Sequence, residues 1–264
     1  MTRRCFSRLI LSATIFSILL PMGLILLWSV TGRWPWPGLL PESYLLRTWK
    51  ELLFGSNSLL PLLGSSMAIA GIVALLGTLV GIFTARAVAL YDIPGKTLIR
   101  FGSLLPLLIP GTVFTMGIQV VLIRLGLTDT VPGIILVHLI AAVPYCITII
   151  SDMTSAIGAR LEEQAAVLGA PPLRAFFYGT FHPLLPGILS SMSMGFILSY
   201  SQYFTTLLVG GGRVRTIATV LVPYIQSGDR PLASTYSAAF VGSALAVFAM
   251  FEWAIRRLQK GGLA

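Results

Sequence analysis

The chain has 264 residues, of which 56% are hydrophobic and only 10% charged. A mean hydropathy of +0.89 excludes a water-soluble domain of this length, whose surface would need far more charge. The net charge of +9 and the pI of about 10.1 raise the question of a nucleic-acid ligand, but the placement of the basic residues between apolar runs argues against one.

Six uncharged runs set the class: Leu9–Gly32, Leu52–Ala85, Phe101–Ile123, Thr130–Ser151, Ala175–Gly212 and Pro231–Phe251. About 20 apolar residues span the hydrocarbon core as a helix, so each run is long enough for one crossing. The expectation is an all-α polytopic membrane protein with six transmembrane helices, centred near Ser17, Ala70, Thr112, Ala141, Met194 and Val241. With both termini inside, the cytoplasmic segments hold Arg3, Arg4, Arg8, Arg86, Lys96, Arg100, Arg160, Arg174, Arg256, Arg257 and Lys260. The outer segments then hold Arg33, Arg47, Lys50, Arg124, Arg213, Arg215 and Arg230. The excess inside favours this orientation, and so does the basic stretch before the first run.

The first run is too long for a signal-peptide core and no small-x-small cleavage site follows it, so it reads as an uncleaved helix. Cys5 precedes it and Cys146 lies within the fourth run; neither has metal-site spacing, and no disulfide is expected between them. The first outer loop, about Arg33–Asn57, mixes Trp34, Trp36 and Trp49 with Pro35, Pro37 and Pro41. Tryptophan marks the membrane–water boundary, and LLPESYLLRTWKELLFG has the spacing of a short interfacial helix. This loop reads either as a membrane-lying connector or as a docking surface for an outer partner. Residues 1–57 therefore form a first helix with its outer loop, and 58–264 a core of five helices with an inner segment at 152–183.

In the second inner loop, ARAVALYDIPGKTLIR, Ile93-Pro94-Gly95 forms a turn. The third run carries LLPLLIPG. Pro106 and Pro110 each remove a backbone donor and bend the helix, and the freed carbonyls must face protein or water rather than lipid. That makes the run a candidate lining of a pathway; proline kinks also serve plain packing. His138 is the titratable residue nearest a span centre and reads as a packed, hydrogen-bonded histidine. Near the outer end of the fifth run, Ser199, Tyr200, Ser201, Gln202 and Tyr203 are polar: they line a pathway or bond helix to helix. Gly210-Gly211-Gly212 reads as a flexible turn or as a point where an outer protein docks.

The inner segment EEQAAVLGAPPLRAFFYGTFHPLLPGI carries the most information. Ala156–Leu168 reads as a helix of good helix formers, Gly169 as its terminator, and Pro171-Pro172 as the start of a second helix over Leu173–Phe181. Glu162 and Glu163 supply charge. Ala165, Ala166, Gly169 and Ala170 supply a surface without bulk, and Phe176, Phe177 and Tyr178 supply large apolar area. A rigid helix-turn-helix of this kind suits docking to a soluble protein; the plainer reading is a solvated loop whose aromatics lie on the membrane.

This segment resembles the EAA loop of inner-membrane permeases of binding-protein-dependent (type I) ABC importers. Glu163 stands at the family's Glu, Ala165 and Ala166 at its alanines, and Leu168-Gly169-Ala170 at its Leu-Gly-Ala. Gln164 replaces a common alanine, and the proline after the second helix comes one residue late, as Pro183. LLPLLIPGTVFTMG, LVHLIAAVPYCITII and LVGGGRVRTIATVLVPYIQSGDR are similar to other stretches of the family, the last to the branch for ferric iron, polyamines, sulfate or thiamine. The resemblance implies a MetI-like ABC permease fold in a bacterial inner membrane, multi-pass, forming half of a translocation pathway. It implies that Glu162, Glu163, Ala165, Ala166, Gly169, Ala170, Pro171, Phe176 and Phe177 couple the chain to a cytoplasmic ATPase dimer. Further implied partners are a second permease subunit (paralogue or identical copy), an extracytoplasmic solute-binding protein and membrane lipid. No cofactor is implied in this chain, because ATP belongs to the ATPase; the chain lacks G-x-x-x-x-G-K-[ST]. Pro106, Pro110, Ser199, Tyr200 and Gln202 are the candidate pathway lining. Two other classes compete. An ion-coupled secondary transporter would need acids deep in the spans, where none occurs. An intramembrane enzyme would need a nucleophile with its base or a metal set, which two histidines and two distant cysteines do not assemble.

Overall fold

A computed structural model of the chain describes residues 2–34, 38, 41–44, 46–54 and 59–260. Trp36, Pro35, Pro37 and Asn57, named above for the first outer loop, lie outside the described residues. In order, the elements are α1 (Thr2–Ser29), β1 (Thr31–Arg33), β2 (Ser43–Tyr44), α2 (Arg47–Phe54), α3 (Leu59–Leu90), α4 (Lys96–Leu108), α5 (Gly111–Arg124) and α6 (Val131–Ile157). They continue with α7 (Arg160–Val167), α8 (Pro172–Ala175), a π-helical segment (Phe176–Phe181), α9 (His182–Tyr200), α10 (Phe204–Gly210), α11 (Ile217–Ser227) and α12 (Arg230–Lys260). Among the described residues, five helices are long and apolar enough to cross a membrane, or six if the bent pair α4–α5 counts as one span.

The residues divide into two compact units, Met1–Leu63 with Val220–Ser243, and Gly64–Thr219 with Ala244–Ala264. In the first, β1 and β2 pair antiparallel, a small addition to the all-helical expectation. The short helix expected in the outer loop is α2, eight residues long, with Leu52 buried and Phe54 exposed. Tryptophan organises this unit: Trp28 stacks on Trp34 at 4.9 Å between centroids, and the Arg230 guanidinium lies 4.7 Å over the Trp28 ring. The Thr235 hydroxyl, bonded to the Pro231 carbonyl of its own helix at 2.8 Å, also lies 3.3 Å from the Ser29 carbonyl, which brings the start of α12 against the end of α1.

The second unit holds the remaining spans. Lipid is as apolar as Leu, so these helices associate by close packing and hydrogen bonds rather than by the hydrophobic effect. A Cβ placed on Gly81 of α3 would sit 3.1 Å from the Cys146 carbonyl of α6, so the two backbones touch there because glycine lets them. One cluster joins Ile69, Leu122, Ile134, Val137 and Val209; another joins Ala85, Ile150, Leu184 and Ile188. Thr78 and Ser191 share a buried hydrogen bond of 3.0 Å between α3 and α9, a contact of a kind that contributes about 0.6–2 kcal/mol between membrane helices.

The third span departs from a single crossing. α4 and α5 meet at 99°. Pro106 is accommodated inside α4, while Pro110 ends it: Ile109 is extended, at φ −94° and ψ 130°, as the residue before a proline prefers. The inner segment also differs from the expected helix-turn-helix. The expected helix over Ala156–Leu168 is interrupted at Gly158, at φ 68°, so that Ala156 and Ile157 belong to α6. The expected second helix, Leu173–Phe181, is no separate element; α8, the π segment and α9 run on as one 29-residue span, Pro172–Tyr200. Pro183 explains the wide turn, because it cannot donate to the Gly179 carbonyl as an α-helix would require.

Candidate functional site

What remains between the spans α6 and α8–α9 is an elbow built on α7. Its C-terminus closes in a Schellman motif: Gly169 N donates to Ala166 O at 2.9 Å and Ala170 N to Ala165 O at 3.0 Å. That closure needs the left-handed conformation, which Gly169 adopts at φ 84°. Pro171 follows at φ −66°, ψ 153°, and Pro172 opens the next helix. None of the eight residues of α7 is buried.

The two adjacent carboxylates differ in their partners, although both border the same hollow. Glu162 turns inward and receives both Nη atoms of Arg86, from the end of α3, at 2.7 and 2.8 Å. The Thr180 hydroxyl of the π segment donates to the same carboxylate. Arg86 in turn lies over the Phe176 ring, 4.5 Å from its centroid. The Arg86 guanidinium holds the Glu162 carboxyl below the ordinary carboxylate range; burial acts in the opposite sense, and the Thr180 hydroxyl adds to the lowering. Glu163 points outward and is exposed. It borders, as Glu162 does, a hollow of about 300 Å³ together with Leu90, Tyr91, Ala166, Ala170 and Pro172.

Of the elbow residues read from sequence, Glu163, Ala166, Gly169, Pro171 and Phe177 are exposed, while Ala165 and Ala170 are half-buried. Phe176, read as an anchor for a partner, is half-buried and packs inside its own chain, edge-on to Phe177 and Phe181. The large apolar surface at the elbow belongs instead to Val167 and Leu168, 88% and 87% exposed; Leu173 and Tyr178, further along the chain, are exposed too. Sequence reasoning placed Leu168 in the Leu-Gly-Ala run but did not single out Val167 and Leu168 as apolar surface.

The candidate pathway residues separate. Pro106 and Gln202 line a cavity of about 320 Å³ where the α4–α5 break faces α6 and the α9–α10 junction, with Thr112, Thr115, Phe204 and Thr205. Its hydroxyls cluster: Thr115 Oγ1 donates to the Gly111 carbonyl at 2.7 Å and lies 3.2 Å from Thr205 Oγ1, which donates to Gln202 Oε1 at 3.1 Å. Pro110 sits exposed at the break, outside that lining. Ser199 and Tyr200 are buried in helix packing; Ser199 bonds His138 Nδ1 at 2.8 Å and Tyr200 stacks on Phe196. His138 Nε2 reaches Thr206 Oγ1 at 3.0 Å, so the histidine is packed and doubly bonded, as its sequence position suggested.

Residues 77–261 match the family model of the binding-protein-dependent transport system inner membrane component. The chain belongs to this family. A putative ABC transporter permease protein of Streptomyces antibioticus is 30% identical over 155 residues, covering 58% of this chain and 66% of that relative. A molybdate/tungstate transport system permease protein of Pyrococcus abyssi is 27% identical, covering 73% and 77%. A putrescine transport system permease protein of Escherichia coli K12 is 22% identical, covering 78% and 75%. The family and these relatives are transport components, not enzymes, and the readings as a secondary transporter or an intramembrane enzyme fall away. The chain is a multi-pass, all-α membrane permease component.

Proposed function

We propose that this chain forms half of the translocation pathway of an ABC importer and takes its drive through the elbow from Glu163 to Gly169. The carrying observation is the elbow's build: a short helix, closed at Gly169, that shows Glu163, Val167 and Leu168 to the outside while Glu162 is held from behind. Such a surface offers a carboxylate and two aliphatics on a stiff support, which suits a groove in a soluble motor. The motor is a cytoplasmic ATPase dimer that binds the ATP; this chain binds none. A second permease subunit, a paralogue or an identical copy, completes the pathway, and an extracytoplasmic solute-binding protein delivers the cargo. The basic residues at the elbow end support a topology with that end and both termini in the cytoplasm of a cell with a bacterial inner membrane. The cargo is a small solute, and the relatives' names span molybdate or tungstate, putrescine and sulfate.

The test is site-specific cross-linking from Leu168→Cys in inverted and right-side-out vesicles carrying the whole transporter. The expected product joins this position to the ATPase and is labelled from the cytoplasmic face. Labelling from the opposite face, or no product with the ATPase present, refutes the proposal.

A further inference from the structure

An elbow that transmits force must not rotate on its own. The flanks of α7 are two glycines at positive φ, Gly158 at 68° and Gly169 at 84°, and no residue of α7 is buried to hold it. Eight residues are also too few for a helix that is stable by itself. Backbone hydrogen bonds close each of these turns locally, and side chains fix the angle of α7 against the neighbouring spans.

Those side chains converge on one guanidinium. Arg86 stands near the end of α3, and 76 positions on in the chain Glu162 receives it through two parallel N–H···O bonds of 2.7 and 2.8 Å. Its flat face covers Phe176, and Thr180, four residues further on, closes onto the same carboxylate. Three elements, α3, α7 and the π segment near the start of the fifth span, meet at this point. The Arg86 and Glu162 side chains are only 17% and 18% exposed. Shielding a charge pair so far from water adds little net stability, because desolvation offsets the attraction. What the pair does well is define a position: a planar fork on a carboxylate allows one orientation, which an ammonium does not impose. Leu161 adds a steric stop, since a Cβ on Gly179 would lie 3.3 Å from its backbone.

We propose that Arg86 is a positioning residue for energy coupling. It joins α7 to α3 and to the base of the fifth span as one rigid piece, so that displacement of the elbow moves two spans together. Glu162 belongs to this inner clamp, and Glu163 alone of the two carboxylates is left for the partner. The proposal rests on the elbow being the contact with the ATPase.

The experiment uses the assembled transporter in proteoliposomes and reads solute uptake and ATP hydrolysis separately. It compares Arg86→Gln, Arg86→Lys, Glu162→Gln and the exchange Arg86→Glu with Glu162→Arg. In Arg86→Gln, hydrolysis stays within about twofold of the parent while uptake per ATP falls by about tenfold or more, the scale of one lost charge-assisted contact. Arg86→Lys falls between the two, and the exchange recovers uptake above either single change at those positions. Unaltered uptake per ATP in Arg86→Gln overturns the proposal. So does a joint loss of hydrolysis and uptake that the exchange leaves unrepaired, which would mark the pair as a folding element only. The Leu168→Cys cross-link to the ATPase separates the two claims: its absence in the parent sinks the coupling reading, whereas its presence with unaltered stoichiometry in Arg86→Gln sinks this one alone.

Discussion

Replacing Gly169 alters a backbone preference and little else. A Cβ there meets no atom within 4 Å, so packing contributes nothing to the outcome. What changes is the left-handed conformation at φ 84°. A residue with a Cβ gives up roughly 1–2 kcal/mol there, asparagine less, and a β-branched residue more. The two hydrogen bonds of the closure, Gly169 N to Ala166 O and Ala170 N to Ala165 O, depend on that dihedral. Since 1.4 kcal/mol is a factor of about ten in an equilibrium constant, Gly169→Ala should open the closed elbow by about five- to thirtyfold relative to the parent. Uptake per ATP in proteoliposomes should therefore fall in the order Asn, Ala, Val. Gly169→Asp follows the same logic with an added penalty, because a negative charge at a helix C-terminus opposes the helix dipole. The unfolding temperature in detergent should stay nearly constant across the series, as α7 carries no buried side chain. Uptake in Gly169→Val equal to the parent would refute the reasoning, and so would a series ordered by side-chain size with a parallel loss of thermal stability.

Other expectations follow from individual contacts. Glu162 has a carboxyl lowered below its ordinary 4.5, so the clamp's contribution is complete above that value and fades as the pH falls through the lower folded-state value. Thermal melts of the parent and Glu162→Gln from neutral to acid pH should converge in that acid window and run parallel above it; convergence near neutrality would contradict the assignment. His138→Ala removes a buried ring bonded to Ser199 and Thr206 and should cost about 2–4 kcal/mol, read as a lower unfolding temperature, with His138→Asn less damaging. Gly81→Val forces a side chain against the Cys146 backbone and should destabilise by about 1–3 kcal/mol, visible as reduced membrane yield, whereas the same change at Gly71, with nothing within 4 Å, should be mild.

Hydropathy alone was enough for the class, because a membrane demands about 20 apolar residues wherever a helix crosses it, and that demand is local. The elbow's corner was legible for a similar reason. Gly169 and Pro171-Pro172 act on their own dihedrals, and the backbone obeys them in the structure. The break at Pro110 was legible as a bend, but its 99° angle was not, since a missing donor permits a range of geometries and the neighbours select one. Gly158 passed unnoticed as an interruption because glycine within an Ala- and Leu-rich stretch is compatible with a helix.

Which carboxylate faces the body and which faces outward lay beyond the sequence. Glu162 and Glu163 are neighbours, about 100° apart around the helix, and nothing local distinguishes them. The choice comes from Arg86, which only the packing of α3 against the elbow brings within 2.7 Å. The same holds for Phe176: its composition suits a partner's pocket, and the fold spends it under the Arg86 guanidinium instead. Sequence thus determined the membrane-crossing runs, their order and the corner between the fourth and fifth spans, because those follow from each residue's own solvation and dihedral preferences. Tertiary structure decided the orientation of α7 and the identity of the outward surface, because those depend on contacts between residues far apart in the chain.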